Sequence, residues 1–390
     1  MTTAQKKTKV GVIGTGFIAK GFARAMADQP DLELSRVLTR RDIRECGDFP
    51  RPDLLTKAKA ELIDHSDLIV ECCGDVAHAT DVIDAAFKAS RPVVTMDAEW
   101  HVTVGSYFVD QGLVTEAEGD QPGVLAALRE DMLQMGFRPL VYGNIKGFQN
   151  LDPTPQEMRY WAQKQGLSLP MVTSATDGTK VQFEQALVAN GFGADMLQEG
   201  FTALETRDVE QSAKDLAAKA KQQGRPVSDY VISAKFPSRV FIAAEHDETQ
   251  QAALEYLKLG TGPYYVLYHN TTLCHLEIIK TVRRVLNGGG VLLNNSVTPR
   301  ISMAAVAKKD LPAGTIIDFA CGSFELRGHA VPILDHPGHV PIGLLNKAVI
   351  RRSVSRGQIL TRDDVEVPDS LAVKAWKQII KKISHAKCDK

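Results

Sequence analysis

A glycine-rich turn between a strand and a helix constrains the fold of this chain more than any other feature. The segment Gly14-Thr15-Gly16 follows the apolar run Lys9–Ile13 and precedes Phe17–Ala27, where apolar residues recur at helical spacing. The first glycine permits a tight turn, the second lets a pyrophosphate approach the backbone, and Ala19 keeps the helix close to the strand. The pattern predicts a dinucleotide-binding turn, with cofactor contacts from Gly14, Thr15, Gly16, Phe17 and Ile18.

The residues that follow this turn alternate between strand-like and helix-like segments. This alternation indicates parallel strands, because parallel neighbours need a long crossover that is usually a helix. The next predicted strands are Leu34–Leu38, Asp67–Cys73 and Pro92–Met96, and a predicted helix, His78–Ala89, lies between the last two. We therefore predict an α/β protein that begins with a Rossmann domain.

The pattern changes after Asn150, where predicted helices mix with strand-like alternation up to the glycine linker Gly288–Gly290. This mixture predicts a central α+β catalytic domain. Short runs separated by turns then predict a small β-rich domain. The predicted domains are residues 1–150, 151–297 and 298–370, followed by a C-terminal helix or tail at 371–390.

Charge and composition exclude several classes of partner. The 46 basic and 47 acidic residues give a net charge of −1, which provides no overall basic field for a nucleic acid. No stretch approaches the roughly 18 apolar residues of a membrane span, and Met1–Lys7 lacks the apolar region of a signal peptide. Six scattered cysteines lack the CxxC spacing of a metal or redox site. We expect a cytoplasmic protein with a small-molecule substrate, and a homo-oligomer is compatible with the sequence.

The end of the second predicted strand indicates which nicotinamide cofactor is preferred. An acidic residue there would bind the ribose 2′-hydroxyl, whereas an arginine accommodates a 2′-phosphate. The chain places Thr39, Arg40 and Arg41 at this position, and Asp42 follows too late. We expect NADP, bound by the two arginines and the threonine hydroxyl, with NAD as the alternative.

Later strand ends supply further binding candidates. Cys73, Gly74 and Thr95 are expected to contact the cofactor, because the carboxyl ends of parallel strands line the ligand crevice. His78 at the start of the next helix is a candidate for binding substrate, although a helix-start histidine is more often a surface group. His336 and His339 flank a Pro-Gly pair, which favours a turn over a metal site.

Four side chains are candidates for proton transfer. Hydride reduction of a carbonyl creates an alkoxide, which needs a proton or a cation beside the oxygen. Lys146, Lys180, Asp120 and Asp177 lie in polar, glycine-bearing segments and could supply both. We favour Lys180, because Asp177 precedes it by three residues and would share a helix face with it. Each lysine also has an ordinary surface interpretation.

Several motifs carry a resemblance to known families. The segments Gly14–Gly16, Asp67–Gly74 and Pro92–Thr95 resemble the homoserine dehydrogenase-like oxidoreductases. The segments Glu118–Gly123, Asp177–Lys180, Gly262–Tyr268 and Leu273–Glu277 look like the 1-deoxy-D-xylulose 5-phosphate reductoisomerase-like family. The segments Ala307–Gly314 and Gly357–Val365 resemble a SAF domain. These resemblances imply an NAD(P)-dependent oxidoreductase of CH–OH donors in carbohydrate metabolism, with substrate contacts from Glu118 and Gln121.

Two departures from these families leave the substrate open. His269–Thr272 replaces an expected basic and aromatic continuation, and Met96–Glu99 contains no lysine, so a catalytic lysine must come from the second domain. One alternative is a reductoisomerase of a keto-sugar phosphate, with oxygen ligands to a divalent metal from Glu118, Asp120 and Asp177. Another is a non-catalytic protein that senses NADP or binds a glycan.

Overall fold

The first unit is a six-stranded parallel sheet with strand order β3-β2-β1-β4-β5-β6. The computed structural model describes residues 7–236 and 239–388 of the chain. The strands are β1 Thr8–Ile13, β2 Leu32–Leu38, β3 Leu55–Thr56, β4 Leu68–Glu71, β5 Val93–Thr95 and β6 Val114–Glu116. The helices are α1 Phe17–Met26, α2 Lys59–Asp64, α3 Val76–Lys88, α4 Ala98–Trp100 and α5 Ser106–Phe108. Helix α6, Gln121–Gln134, follows β6 and packs against the second sheet. The predicted Rossmann architecture is confirmed.

Strand β1 is apolar because both faces of this sheet are covered. Val10 and Val12 on one face belong to a core that includes side chains of α1. Ile13 and Ile69 of β4 belong to the core on the opposite face. The strand order reverses between β1 and β4, and a crevice at the carboxyl ends of parallel strands is expected at such a point. The glycine turn after β1 therefore lies at this crevice.

The second unit is a five-stranded mixed sheet with strand order β11-β10-β7-β9-β8. Its strands are β7 Arg138–Lys146, β8 Leu204–Glu205, β9 Val227–Ile232, β10 Arg239–Glu245 and β11 Tyr265–His269. Its helices are α7 Pro155–Gln165, α8 Leu169–Thr176, α9 Thr179–Phe192, α10 Val209–Gln223, α11 Gln251–Tyr256 and α12 Ile278–Leu286. Strand β7 starts before the predicted boundary at residue 150, so this sheet takes its central strand from the predicted first domain.

Helix α12, near the end of this unit, packs against the first sheet. Ile278 and Val282 of α12 pack into the same core as Val10 of β1. Arg283 of α12 forms an ion pair with Asp31, at 2.6 Å between Nη2 and Oδ1. Helix α12 therefore joins the Rossmann unit, although its residues fall in the predicted central domain.

The third unit is β-rich, as predicted. A two-stranded sheet and a three-stranded sheet, both antiparallel, contain β12 Ile301–Ala307, β13 Ile316–Ile317, β14 Leu326–Pro332, β15 Ala348–Ile350 and β16 Val365–Glu366. Helix α13, Leu371–Cys388, follows and contacts α3 and α5. Trp376 of this helix is buried, and its ring lies 5.4 Å from that of His339. The segment predicted as a C-terminal helix or tail is thus a docked helix.

Across the described parts of the chain, no helix combines the length and apolar character that crossing a bilayer requires.

Candidate active site

A cleft of about 740 Å³ opens beside the glycine turn. Its lining includes ten of the residues predicted to bind a cofactor, namely Gly14, Thr15, Gly16, Phe17, Ile18, Thr39, Arg40, Arg41, Cys73 and Gly74. Ser168 and Met171, at the start of α8, line the opposite side. Ten of the eleven residues predicted to bind the cofactor therefore line one cleft at the carboxyl edge of the sheet.

The two glycines of the turn serve different purposes. Gly14 has a φ of +112°, and a Cβ there would lie 2.9 Å from the carbonyl oxygen of Cys72. Gly14 is therefore required by the backbone itself. Gly16 precedes α1 with a φ of −80°, and a Cβ there would meet no atom within 4 Å among the described residues. The fold thus leaves the space above Gly16 open, which fits a pyrophosphate resting on the helix N-terminus.

The basic end of β2 lies at the edge of this cleft. Arg40 and Arg41 are exposed, and Arg40 Nη1 lies 2.8 Å from Asp75 Oδ2 across the cleft. Thr39 is buried, and its hydroxyl oxygen lies 3.2 Å from that of Thr15 and accepts the N–H of Arg41. Both arginines are therefore exposed at the edge of the cleft, with Arg40 paired to Asp75, whereas Thr39 maintains the conformation of the loop.

Two predicted binding residues lie elsewhere than expected. Thr95 does not line the cleft: its buried hydroxyl donates to Glu71 at 2.7 Å, and Glu71 also accepts the N–H of Cys73 at 2.6 Å. The Thr95 side chain therefore binds Glu71 beneath the surface of the cleft, because the last residue of β5 points into the core. His78, expected at the substrate, lines the cofactor cleft instead. Burial, followed by the charge of Arg40, lowers the pKa of His78 and favours a neutral ring.

Both predicted lysines converge on one buried carboxylate, Glu184 of α9. Lys146 Nζ, at the end of β7, lies 3.7 Å from Glu184 Oε2. Lys180 Nζ lies 3.7 Å from Glu184 Oε1 and 3.5 Å from Asp120 Oδ1. We call Asp120, Lys146, Lys180 and Glu184 the lysine cluster. The sequence analysis missed Glu184, although a glutamate four residues after a helical lysine is a recognisable pairing signal.

Two amides complete the hydrogen bonding of this cluster. Asn144 Nδ2, in β7, donates to Glu184 Oε2 at 2.9 Å. The Gln121 amide, oriented so that its nitrogen faces the acids, donates to Asp120 Oδ1 at 2.8 Å and to Glu184 Oε1 at 3.3 Å. The predicted substrate residue Gln121 therefore belongs to the same network as the lysines.

The acids around Lys180 determine its protonation state. The charge of Asp120 raises the pKa of Lys180 against the opposing effect of burial, and Glu184 raises it further. Lys180 is consequently an ammonium ion at neutral pH. Its side chain keeps 43% exposure, whereas that of Lys146 keeps 13%. Lys180 is therefore the more accessible cation for a reacting oxygen.

Asp177 does not orient Lys180, and that prediction is wrong. Its carboxylate is buried, and Oδ2 lies 2.5 Å from Lys308 Nζ in the third unit. Asp177 ends α8, and Gly178 then adopts the left-handed conformation with a φ of +83° before α9 begins. Because the chain turns at Gly178, Asp177 and Lys180 do not share one helix face.

Glu118, predicted to bind substrate, is paired within the protein. Its side chain forms an ion pair with Lys280 of α12, and its N–H donates to the Thr281 hydroxyl at 2.8 Å. The three carboxylates considered as metal ligands, Glu118, Asp120 and Asp177, thus pair with three different lysines. Over residues 7–236 and 239–388, no group of three His, Cys, Asp or Glu side chains is arranged to hold a metal ion.

A short turn, Cys274–Leu276, joins the cofactor cleft to the lysine cluster. The His275 ring lies 5.9 Å from that of Phe17, edge to face, at the cleft. A Cβ on Gly119 would collide with the carbonyl oxygen of Cys274, so this glycine allows the turn to lie directly beside Asp120. The cleft and the cluster are therefore adjacent.

A buried acid and a buried histidine lie near the cluster, at the end of β6. Glu116 Oε2 is 3.5 Å from His101 Nε2, and both side chains are fully buried. Burial raises the pKa of Glu116, and the charge of Asp120 raises it further. Burial lowers the pKa of His101 to about 3. Burial therefore disfavours the charged form of both side chains. His101 begins a π-helical turn, His101–Gly105, a feature frequent at functional sites.

The histidines predicted to lie in a turn are bound by protein groups. His339 Nε2 is 2.9 Å from the Ser302 hydroxyl, and His336 Nε2 is 2.8 Å from Glu199 Oε1. His339 is buried, which lowers its pKa to about 4. Each ring therefore contacts its own protein partner.

Comparison with known proteins supports the assignment of the cluster to an enzyme. Residues 119–278 match the family model described as the catalytic domain of oxidoreductase DRL, and this span contains the entire lysine cluster. No curated protein matches the chain in sequence. The expectation of an oxidoreductase is confirmed, because this region is similar to an oxidoreductase catalytic domain.

Three of the solved structures that are similar to this chain are described as dehydrogenases. A homoserine dehydrogenase from Thiobacillus denitrificans has 13% identity and a TM-score of 0.50, and the match covers 96% of this chain and 95% of that chain. A UDP-N-acetylglucosamine 3-dehydrogenase from Acidithiobacillus ferrooxidans has 11% identity, coverage of 75% and 93%, and a TM-score of 0.42. A myo-inositol dehydrogenase from Corynebacterium glutamicum has 13% identity, coverage of 68% and 76%, and a TM-score of 0.39. The first of these shows a shared fold over nearly the whole chain.

Proposed function

We propose that this protein is an NADP-dependent oxidoreductase that interconverts a small, polar, carbohydrate-derived alcohol and its carbonyl form. One observation carries the proposal: the buried Glu184 holds Lys146 and Lys180 beside Asp120, next to a cleft formed by a dinucleotide-binding turn. A bound nicotinamide would supply or accept the hydride. The N-terminus of α1 would hold the phosphates, and Gly16 leaves room for them.

The lysine cluster has the charges that carbonyl reduction requires. Hydride addition places negative charge on the substrate oxygen, and a preorganised cation stabilises that charge in the transition state. Lys180 is protonated because Asp120 raises its pKa, so it would donate a proton or remain as the cation beside the oxygen. Glu184 fixes its position by accepting from Asn144 and pairing with both lysines. In the reverse direction the same group would receive the proton of an alcohol.

The composition of the cluster supports a polyhydroxylated substrate. Two ammonium groups, two carboxylates and the Gln121 amide offer donors and acceptors close together, which suits several hydroxyl groups on one small molecule. The resemblance to 1-deoxy-D-xylulose 5-phosphate reductoisomerase-like proteins supports the same class of substrate.

We also propose, on the resemblance alone, that the third unit is a SAF-like domain.

The arginines of β2 give a prediction for cofactor preference. Replacing Arg40 and Arg41 with alanine should weaken NADPH binding more than NADH binding by roughly 10- to 150-fold. That range corresponds to the loss of about 1.5–3 kcal/mol from a hydrogen bond to a charged group. Calorimetric titration of both nucleotides measures the difference. Arg44→Ala is the matched control, because Arg44 is exposed and pairs with Asp42. Equal weakening for the two nucleotides would refute the NADP assignment.

The role of Asp120 gives a prediction for pH dependence. Because Asp120 raises the pKa of Lys180, Asp120→Asn should lower that pKa and move the alkaline limb of the pH–rate profile to lower pH. Glu210→Gln is the control, because Glu210 pairs with Lys214 on α10, so the limb should keep its position. An alkaline limb that stays in place in Asp120→Asn would show that Lys180 is not the group that titrates.

An absorbance assay tests the proposed function. The protein is incubated with NADPH and a panel of aldoses, ketoses, hydroxy acids and their phosphates, with and without divalent metal, and loss of NADPH absorbance is followed. Turnover of a polar carbonyl is the expected result. Tight NADPH binding with no turnover across the panel would favour the sensor interpretation. Strict metal dependence with a keto-sugar phosphate would favour a reductoisomerase.

A further inference from the structure

The third unit holds the start of helix α9 through a buried ion pair. Lys308, directly after β12, places Nζ 2.5 Å from Asp177 Oδ2 and donates to the carbonyl oxygen of Ser323 at 2.7 Å. Lys308 is 8% exposed and Asp177 is fully buried. The other oxygen of Asp177 accepts the N–H of Thr179, the first residue of α9, at 3.0 Å. The cation of the third unit therefore fixes a carboxylate that lies between α8 and α9 and accepts the first N–H of α9.

Backbone N–H groups of strand β14 donate hydrogen bonds to side chains in the first turn of the same helix. The N–H of Gly328 donates to the Thr179 hydroxyl at 2.8 Å, and the N–H of Ala330 donates to Gln182 Oε1 at 2.8 Å. A Cβ on Gly328 would lie 2.9 Å from Cγ2 of Thr179, so the glycine permits this close approach. Both helix side chains are buried. These contacts bracket Lys180 in the sequence.

We infer that the third unit acts as a clamp on α9 and that Lys308 is a positioning residue for the reaction. We call the contact of Lys308 with Asp177 and the contacts of Gly328 and Ala330 with this helix the α9 clamp. The inference rests on the proposed function, because it assigns the clamp the task of placing Lys180 and Glu184. It gives the SAF-like unit a role in the active site without any ligand of its own.

The clamp matters for turnover because α9 carries both Lys180 and Glu184. A displacement of about 1 Å in a catalytic group can lower a rate by about 10²-fold even when the altered residue lies far from the chemistry. The cofactor cleft is lined by residues of the first unit and by the start of α8, none of which belongs to the clamp. Release of the clamp should therefore lower the rate and leave cofactor affinity intact.

The main test is the double variant Lys308→Met/Asp177→Asn. It removes both charges together, so neither is left buried without a partner. We expect kcat to fall by about 10- to 100-fold, with an unchanged KM for NADPH. Lys309→Met is the matched control, because the neighbouring Lys309 forms an exposed pair with Glu325 at 2.7 Å. The control should retain the wild-type kcat.

Hydrogen exchange makes the test independent of turnover. In the double variant, the amides of residues 179–184 should exchange faster than in wild type, while the first unit should keep its protection. If the double variant fails to fold, Thr179→Val tests the same clamp by removing the acceptor for Gly328 without touching a charge. Faster exchange confined to α9 supports the clamp. Wild-type exchange in the folded variant, or loss of protection throughout the chain, overturns it.

The two readouts separate the two proposals. If wild-type protein oxidises NADPH with no substrate of the panel, the proposed function fails, and exchange at α9 still decides whether the clamp exists. If wild type turns over and the double variant has an unchanged kcat, the positioning role is refuted while the function stands.

Discussion

Replacing Lys180 with methionine should lower the single-turnover rate of hydride transfer by about 10²–10⁴-fold, the usual contribution of a general acid. Methionine keeps most of the stem volume and removes the charge that Asp120 and Glu184 hold in place. NADPH affinity should remain unchanged, because Lys180 does not line the cofactor cleft. Rapid-mixing measurements with NADPH and an active substrate measure both quantities.

The control for this variant is another helical lysine. Lys214 forms an i,i+4 pair with Glu210 on α10, at 2.7 Å, just as Lys180 pairs with Glu184 on α9. Lys214→Met should react at the wild-type rate. Lys146→Met measures how much the second lysine contributes to the rate of hydride transfer. We expect a smaller loss of rate than in Lys180→Met, because Lys146 is less accessible than Lys180. Wild-type rates in both Lys180→Met and Lys146→Met would remove lysine from the mechanism.

A Gly16→Val variant should fold normally and lose dinucleotide binding by about 100-fold or more. The backbone at Gly16 has a negative φ, and the space that a side chain would enter is open, so the fold should tolerate valine. The valine would occupy the place of the pyrophosphate and break at least two charge-assisted hydrogen bonds, each worth about 1.5–3 kcal/mol. Thermal unfolding and nucleotide titration measure the two effects separately.

Gly47→Val is the control for this second variant. Gly47 also has a negative φ, −62°, and open space at its Cβ, and it does not line the cleft. Gly47→Val should bind NADPH like wild type. Gly14→Val should instead destabilise the fold, because Gly14 has a φ of +112°. Normal NADPH binding by Gly16→Val would place the phosphates elsewhere.

The Rossmann unit was predictable because its signals are local. Three signals follow one another directly in the sequence: the apolar strand β1, the glycine turn and the helical spacing of α1. Each can be recognised from adjacent residues alone. The boundary at residue 150 was less predictable. Strand β7 precedes that boundary and pairs with β9 and β10, and pairing between distant strands leaves no local mark.

The candidate site was predictable only in part. Four predicted residues do converge, namely Lys146, Lys180, Asp120 and Gln121. The residue that joins them, Glu184, was not predicted, and its only local signal is its spacing of four residues from Lys180. Sequence proximity suggested Asp177 as the partner of Lys180, yet its partner is Lys308, which lies far along the chain. The contact between the third unit and α9 depends on tertiary packing. The expected cytoplasmic location, homo-oligomer, and absence of nucleic-acid or membrane partners stay predictions.

The most direct test of the central claim is a single-turnover reaction with NADPH that carries deuterium at the transferring position of the nicotinamide. We expect the deuterium to appear on the former carbonyl carbon of a polar, hydroxylated product, with a primary isotope effect on the transfer step. Lys180→Met should slow this transfer without changing where the deuterium goes. Retention of all deuterium on the bound nucleotide, with every carbonyl of the panel left unreduced, would contradict the account.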